Sequence, residues 1–293
     1  MEIREIKLEF LEEMANQLRE DVIEMLSEAG SGHSAGPLGM ADIFSALYFQ
    51  VLKHDPKKPD WDDRDRLILS NGHICPIRYA AMARSGYFPV EELLTLRKIN
   101  SRLQGHPHRK SLPGLETTSG PLGCGLSQAI GTALAAKLDF NGSVHATKGK
   151  YRVFCVMSDG ELQEGNTWEA FMFAGKNRLN NLIAIIDRNN IQIDGNTEDI
   201  MTLEPLKEKL ESFKWHVIEI DGHNIEQFID AVNEAKAIHE KPTVIIAHTI
   251  PGKGVSFMEN NYRWHGKPPT KEEAEKALEE LKAIDERIKS EYN

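Results

Sequence analysis

Apolar residues recur near a 3.6-residue period at Ile6, Leu8, Leu11, Met14, Leu18, Val22, Ile23 and Leu26. That spacing predicts a helix over 6–29, stopped by Gly30 and Gly32, with Ser31-Gly32-His33 delivered at its C-terminal end. Similar patterns predict helices over 41–52, 77–84, 90–99, 126–138, 164–176, 225–237 and 271–290. The last is so rich in Glu and Lys that it is expected on the surface or reaching toward a neighbour. Short apolar runs bounded by turn residues predict strands over 67–69, 151–157, 182–187, 215–220 and 243–248.

Strand 151–157, helix 164–176 and strand 182–187 form a βαβ unit, for which a right-handed crossover and parallel pairing are expected. The fold class that follows is α/β: a doubly wound, mainly parallel sheet with helices on both faces, as a single domain over residues 1–293. Ligands in such sheets sit beyond the carboxyl ends of the strands, so the residues after Met157 and Ile186 are the first place to look for a site.

Composition narrows the function. A formal net charge of −10 with no strongly basic segment argues against a nucleic-acid partner. Cys75, Cys124 and Cys155 are spaced for neither a disulfide framework nor a metal cluster, so a reducing compartment is the simpler expectation. The N-terminus lacks the layout of a signal peptide and no stretch of 18 apolar residues occurs. A cytoplasmic protein with no membrane partner is expected.

Ser158-Asp159-Gly160-Glu161 follows one strand of the βαβ unit and Asp187-Arg188-Asn189-Asn190-Ile191 follows the next. A carboxylate, an amide oxygen and a turn carbonyl at one sheet edge suit Mg²⁺, which takes hard oxygen ligands and shares them with phosphates. The start of the helix near Glu164 adds orphan N–H groups and a positive dipole end. Each segment alone is more often a plain turn. Four histidines adjoin glycine, at Gly32-His33, Gly72-His73, Gly105-His106 and His265-Gly266. Singly, each is as well explained by a local hydrogen bond as by catalysis.

Asp159-Gly160 with Asn189-Asn190, thirty positions after Asp159, resembles the thiamine-diphosphate motif, with Ser158 where that motif usually opens on Gly. Ser31-Gly32-His33-Ser34-Ala35-Gly36-Pro37-Leu38-Gly39-Met40, Ser70-Asn71-Gly72-His73, Gly105-His106-Pro107 and Thr118-Ser119-Gly120-Pro121-Leu122-Gly123-Cys124-Gly125 resemble transketolase in order and detail. The resemblance runs from roughly residue 10 to 270. It implies that Asp159, Asn189 and the carbonyl of Ile191 bind Mg²⁺, for which Ca²⁺ or Mn²⁺ can substitute. It implies that Gly160 and Asn189 lie against thiamine diphosphate, that His73 supports the diphosphate, and that Gly120, Pro121 and Leu122 line the cofactor. By the same resemblance His33, His106 and His265 face the sugar or the cofactor's reactive carbon, and Glu164 links two cofactor sites across a subunit interface.

Cleaving a ketose between C2 and C3 requires proton removal and carbonyl polarisation near neutral pH, where imidazole titrates. Transketolases follow this domain with a pyrimidine-binding domain that supplies an activating glutamate, and that domain is not found before residue 293. The resemblance therefore implies a separate C-terminal transketolase subunit, an α2β2 assembly, sugar phosphate substrates, and most phosphate-binding groups on the partner. Two other readings stay open: a subunit of a different thiamine-diphosphate ketolase or carboligase, such as a specialised sugar-phosphate enzyme or a deoxyxylulose-phosphate synthase, and a non-catalytic scaffold.

Overall fold

A computed structural model describes residues 7–142 and 150–292, so Ile6, the first residue of the helix that the periodicity predicts, lies outside them. The chain opens with α1 (Leu8–Ala29), α2 (Ala35–Gly39) and α3 (Ala41–Ala46), followed by β1 (Arg66–Leu69), α4 (Cys75–Arg84) and α5 (Cys124–Asn141). Next come β2 (Val153–Ser158), α6 (Gly165–Lys176), β3 (Leu182–Arg188) and a small hairpin of β4 (Ile191–Gln192) with β5 (Gly195–Asn196). The remainder is α7 (Thr197–Ile200), α8 (Leu206–Ser212), β6 (His216–Asp221), α9 (Ile225–Ala237), β7 (Thr243–His248) and α10 (Lys271–Tyr292).

Five strands form one sheet in the order β1-β2-β3-β7-β6, and every pairing in it is parallel. Alternate residues of each strand feed two separate cores. Phe154, Val156, Ile183, Ile185 and Ile245 pack with Leu18, Phe44, Ile77 and Phe228 of α1, α3, α4 and α9. Val153, Cys155, Met157, Leu182, Ala184 and Ile186 pack with Leu126, Phe171 and Leu210 of α5, α6 and α8. Because both faces are covered, the inner strands β2, β3 and β7 are nearly continuous apolar runs, whereas the edge strand β6 carries the exposed Glu219 and Asp221.

From β3 the chain passes over the position of β7 to the edge strand β6 and returns in β7. Beyond the C-terminal ends of β2, β3 and β7, that reversal leaves the crevice in which ligands of open α/β sheets bind.

Two expected elements are corrected. Residues 90–99 form no α-helix: a short 3-10 helix covers Val90–Thr95. Leu93 and Leu96 are buried, but Ile99 is 93% exposed and Arg97 has φ +59°, so the apolar stripe needed to hold a longer helix ends at Leu96. The helix expected over 41–52 stops at Ala46 and widens into a π turn, Leu47–Val51, closed by Leu52 N–H donating to the Leu47 carbonyl at 2.9 Å. The charged α10 lies on the surface, as expected, and is docked there by one apolar stripe. Its Ala274, Ala277 and Leu281 are buried in the core that also contains Leu11 and Leu18 of α1, and the Asn16 amide donates to the Leu281 carbonyl at 2.9 Å. No helix among the described residues is long and apolar enough to cross a membrane.

Candidate active site

Asp159 N–H donates to the Asp187 carbonyl at 3.1 Å, so the turns leaving β2 and β3 start side by side. The Asp159 side chain is fully buried and accepts from the N–H of Gly160 at 2.8 Å, the N–H of Asn190 at 2.7 Å and Nη1 of Arg188 at 3.1 Å. Asn189 donates its amide N–H to Asp187 at 2.9 Å, which fixes the orientation of its oxygen. That oxygen accepts the Ile191 N–H at 3.0 Å within a turn where Asn190 takes φ +62°.

Burial pushes the Asp159 carboxyl up to about 6 against the opposing pull of Arg188 and two backbone N–H groups. Burial likewise raises Asp187 to about 7, offset by its hydrogen bond from Thr249. Removing two carboxylates from water is costly, and a divalent cation at this edge would offset that cost. One carboxylate, one amide oxygen and the Ile191 carbonyl are hard donors of the kind Mg²⁺ prefers, with positions left for phosphate oxygens and water.

Above this edge lies a cavity of about 360 Å³ lined by His33, His73, His106, His265, Gly120, Leu122, Ser158, Gly160, Gln163, Glu164 and residues 191–194 of the β4–β5 hairpin. A cleft of about 690 Å³ beside Met172 and Lys241 is larger but contains none of these groups. Convergent polar residues mark a binding site better than volume does. The His33 ring centroid is 5.1 Å from that of His73, 6.1 Å from His106 and 5.6 Å from His265. Side chains from four loops, up to 232 positions apart, thus meet in one place.

Burial lowers the pKa of all four imidazoles. His33 falls to about 4, with His265, Arg97 and His106 adding to the effect, and His73 falls well below its usual value. Neutral rings can accept a proton at one nitrogen while the other donates. A depressed histidine also links stability to pH. The unfolded chain takes up a proton below pH 6.5 that folded His33 refuses until about 4, so stability is lost as pH falls through that window. His33→Asn is therefore expected to reduce the loss of unfolding free energy between pH 7 and pH 5 by up to about 2 kcal/mol, an upper bound because the ring keeps some solvent contact. Urea unfolding at both pH values checks this, and an unchanged loss would contradict it.

Most of the residues singled out in the sequence converge here, but Pro121 is exposed and absent from the cavity lining, while Asp159 and Asn189 lie buried beneath it. Glu164 is the exposed residue preceding α6. Glu161 carries no role that the sequence pattern assigns. It is fully buried and accepts from the Ser70 hydroxyl and from Gly123 N–H, the latter at 2.6 Å, tying the 119–125 loop to the turn after β2. Burial raises this carboxyl to about 7. Arg188 escapes sequence reading too: besides Asp159 it holds Glu198 and Glu204 at 2.8 Å each. The signal available for both is adjacency to motif residues.

His33 Nδ1, both polar atoms of Asn71 and Ser119 Oγ are buried with no hydrogen-bond partner among the described residues. Buried polar groups are nearly always paired, so these orphans fit a site completed by a polar ligand. Open space in front of Gly120, where an added Cβ would meet nothing within 4 Å, leaves a path for that ligand to approach backbone. The residues present therefore fit a diphosphate-bearing cofactor with a divalent metal.

Comparison with known proteins agrees with this geometry. The profile described as the transketolase, thiamine diphosphate binding domain matches residues 11–286. A 6-deoxy-6-sulfo-D-fructose transketolase subunit from Clostridium sp. (strain MSTE9) is 42% identical, the match covering 92% of this chain and 96% of that protein. An apulose-4-phosphate transketolase subunit from Phocaeicola vulgatus is 37% identical over 98% of this chain and 99% of its own length. The transketolase structure from Campylobacter jejuni superposes with a TM-score of 0.87 at 36% identity, covering 97% of this chain and 46% of that one. The chain thus spans nearly the whole of the two smaller relatives and less than half of the larger enzyme. With strand order, site geometry and sequence all in agreement, the chain belongs to the transketolase family as its thiamine diphosphate binding domain.

Proposed function

We propose that this chain is the diphosphate-binding subunit of a two-chain transketolase that moves a two-carbon ketol unit between sugars bearing a terminal anionic group. The observation that carries the reading is the meeting of His33, His73, His106 and His265 in one cavity directly above the Asp159–Asn189 edge. Asp159, Asn189 and the Ile191 carbonyl would hold Mg²⁺, with Gly160 and His73 against the diphosphate and Gly120 and Leu122 along the cofactor. When bound, thiamine diphosphate supplies the carbon nucleophile and electron sink.

The chain's own residues orient the sugar and move its protons. Neutral His33, His106 and His265 accept a hydroxyl proton or donate to a developing oxyanion, work that typically contributes about 10²–10⁴-fold in rate. Glu164, at the start of α6, is the group we assign to communication between cofactor sites. A partner chain is supported by the names of the relatives of matching length. Exposed apolar side chains on two of this chain's helices, Met172 and Phe173 of α6 and Leu138 and Phe140 of α5, would be covered by assembly. Sugars with a terminal sulfonate or phosphate are supported by the same two names.

The test is calorimetric titration with thiamine diphosphate, with and without Mg²⁺, and a ketol-transfer assay on this chain alone and mixed with a pyrimidine-binding transketolase subunit. Metal-dependent binding and turnover only in the mixture are expected. Robust turnover by the chain alone would overturn the two-chain reading, and metal-independent binding would overturn the Mg²⁺ assignment.

A further inference from the structure

Arg97 stands at the end of the interrupted 90–96 segment, exposed to solvent and held with φ +59°. Left-handed backbone is unfavourable for a residue with a long side chain and persists where surrounding structure enforces it. Here both flanks are fixed: Leu96 and Leu103 are fully buried, and Arg97 N–H donates to the Leu103 carbonyl at 2.9 Å. The guanidinium lies against two glycines that each precede a site histidine. A Cβ placed on Gly105 would lie 2.7 Å from Arg97 Cζ, and one placed on Gly32 would lie 3.7 Å from its Nε.

Gly32 and Gly105 immediately precede His33 and His106, so the side chain lies against the two loops that carry these histidines, just outside the lining of their cavity. Its positive charge contributes to the lowered pKa of both rings. Among the described residues no carboxylate lies within 4.0 Å of Arg97, and the hydrogen bond it makes is a long one, from Nη2 to the Gly105 carbonyl at 3.4 Å. By contrast Arg64, Arg84, Arg102 and Arg188 are each paired with an acid. An exposed guanidinium that is positioned by strained backbone and left without a counter-ion is preorganised for an anion, and its planar fork matches a phosphate or sulfonate.

Resting on the proposed function, we infer that Arg97 is a specificity residue of this chain, binding the terminal phosphate or sulfonate of a sugar whose carbonyl end reaches the histidines. Anion recognition is then shared between the two chains of the enzyme, with one guanidinium supplied from the diphosphate-binding side.

The experiment uses the assembled two-subunit enzyme with Arg97→Gln and Arg97→Lys, assayed on D-xylulose 5-phosphate, on a ketose with a terminal sulfonate, and on D-xylulose. Arg97→Gln is expected to raise KM at least tenfold for the anionic sugar that is the true donor, with kcat changed less than threefold and KM for D-xylulose unchanged. Arg97→Lys is expected to restore part of the loss. Inorganic phosphate or sulfate should inhibit the wild type more strongly than Arg97→Gln, and the stronger inhibitor identifies which anion is preferred. An equal change in KM for charged and neutral sugars, or a fall in kcat alone, would overturn the inference while leaving the transketolase reading intact. A wild-type assembly inactive on all three sugars would overturn both.

Discussion

Asp159→Ala is expected to weaken thiamine diphosphate binding to the assembled enzyme by at least about 100-fold, equivalent to roughly 2.7 kcal/mol. It is also expected to remove the dependence of binding on Mg²⁺. Asp159 supplies the carboxylate in a donor set otherwise made of an amide and a carbonyl, so its loss would leave neutral oxygens to hold a divalent ion beside a diphosphate. The nearest other buried carboxylate, Asp187, is held by Thr249 and the Asn189 amide and is not free to take its place. Arg188 keeps Glu198 and Glu204, which preserves the fold around the vacated position. Asp187→Asn should act more weakly, about 10–100-fold, because Asp187 works by orienting the Asn189 amide. Calorimetry across a Mg²⁺ series measures both variants. Undiminished metal-dependent affinity in Asp159→Ala would remove the basis for the site assignment.

A second large effect is expected in stability. Gly175 lies in α6 where an added Cβ would fall 1.9 Å from the Phe213 carbonyl oxygen, a clash with backbone that no rotamer relieves. That contact brings α6 against the segment leading into β6, where the Trp215 indole donates to the Phe171 carbonyl at 2.8 Å. Gly175→Ala must push the helix away from that segment, and we expect it to cost about 3 kcal/mol or more, the upper range for overpacking. Gly131→Ala in α5 is the matched control: its Cβ would meet nothing within 4 Å. In the isolated chain it should gain about 0.5–1 kcal/mol from helix propensity. Urea unfolding of both variants checks the pair, and similar midpoints would show that the close approach is not rigid.

Both predictions also bear on function through geometry. Helix α6 starts immediately after Glu164 and the turn that carries Asp159 and Glu161. Displacing it would disturb the cavity from below, so Gly175→Ala should lose cofactor affinity along with stability, whereas Asp159→Ala should lose chiefly affinity, with a smaller stability cost from the buried N–H groups that it no longer satisfies.

Much of the fold is legible in residue order. Runs such as Leu182–Arg188 are buried on both faces, and a continuous apolar stretch between turn residues predicts that condition. Helix α9 coincides with its predicted span because Asn224 caps it by accepting from Gln227 N–H, a signal contained within four residues. The segment 90–99 misleads because periodicity cannot tell whether Ile99 will find a core to face. Helix α10 reads correctly as a surface helix, but its few buried residues, Ala274, Ala277 and Leu281, are too sparse to announce that α1 is the element that receives them.

For the site, the identities of Asp159, Asn189 and the four histidines can be read from local motifs, since each motif is a few residues long and reflects local backbone demands. Their convergence cannot. The distance from His33 to His265 depends on strand order and on where loops land after the chain reverses at β6. The roles of Glu161, Arg188 and Arg97 depend on which distant backbone groups lie within hydrogen-bond or electrostatic reach. Local patterns record what neighbours along the chain require, whereas the chemistry of this cavity arises from side chains that only the folded sheet brings together.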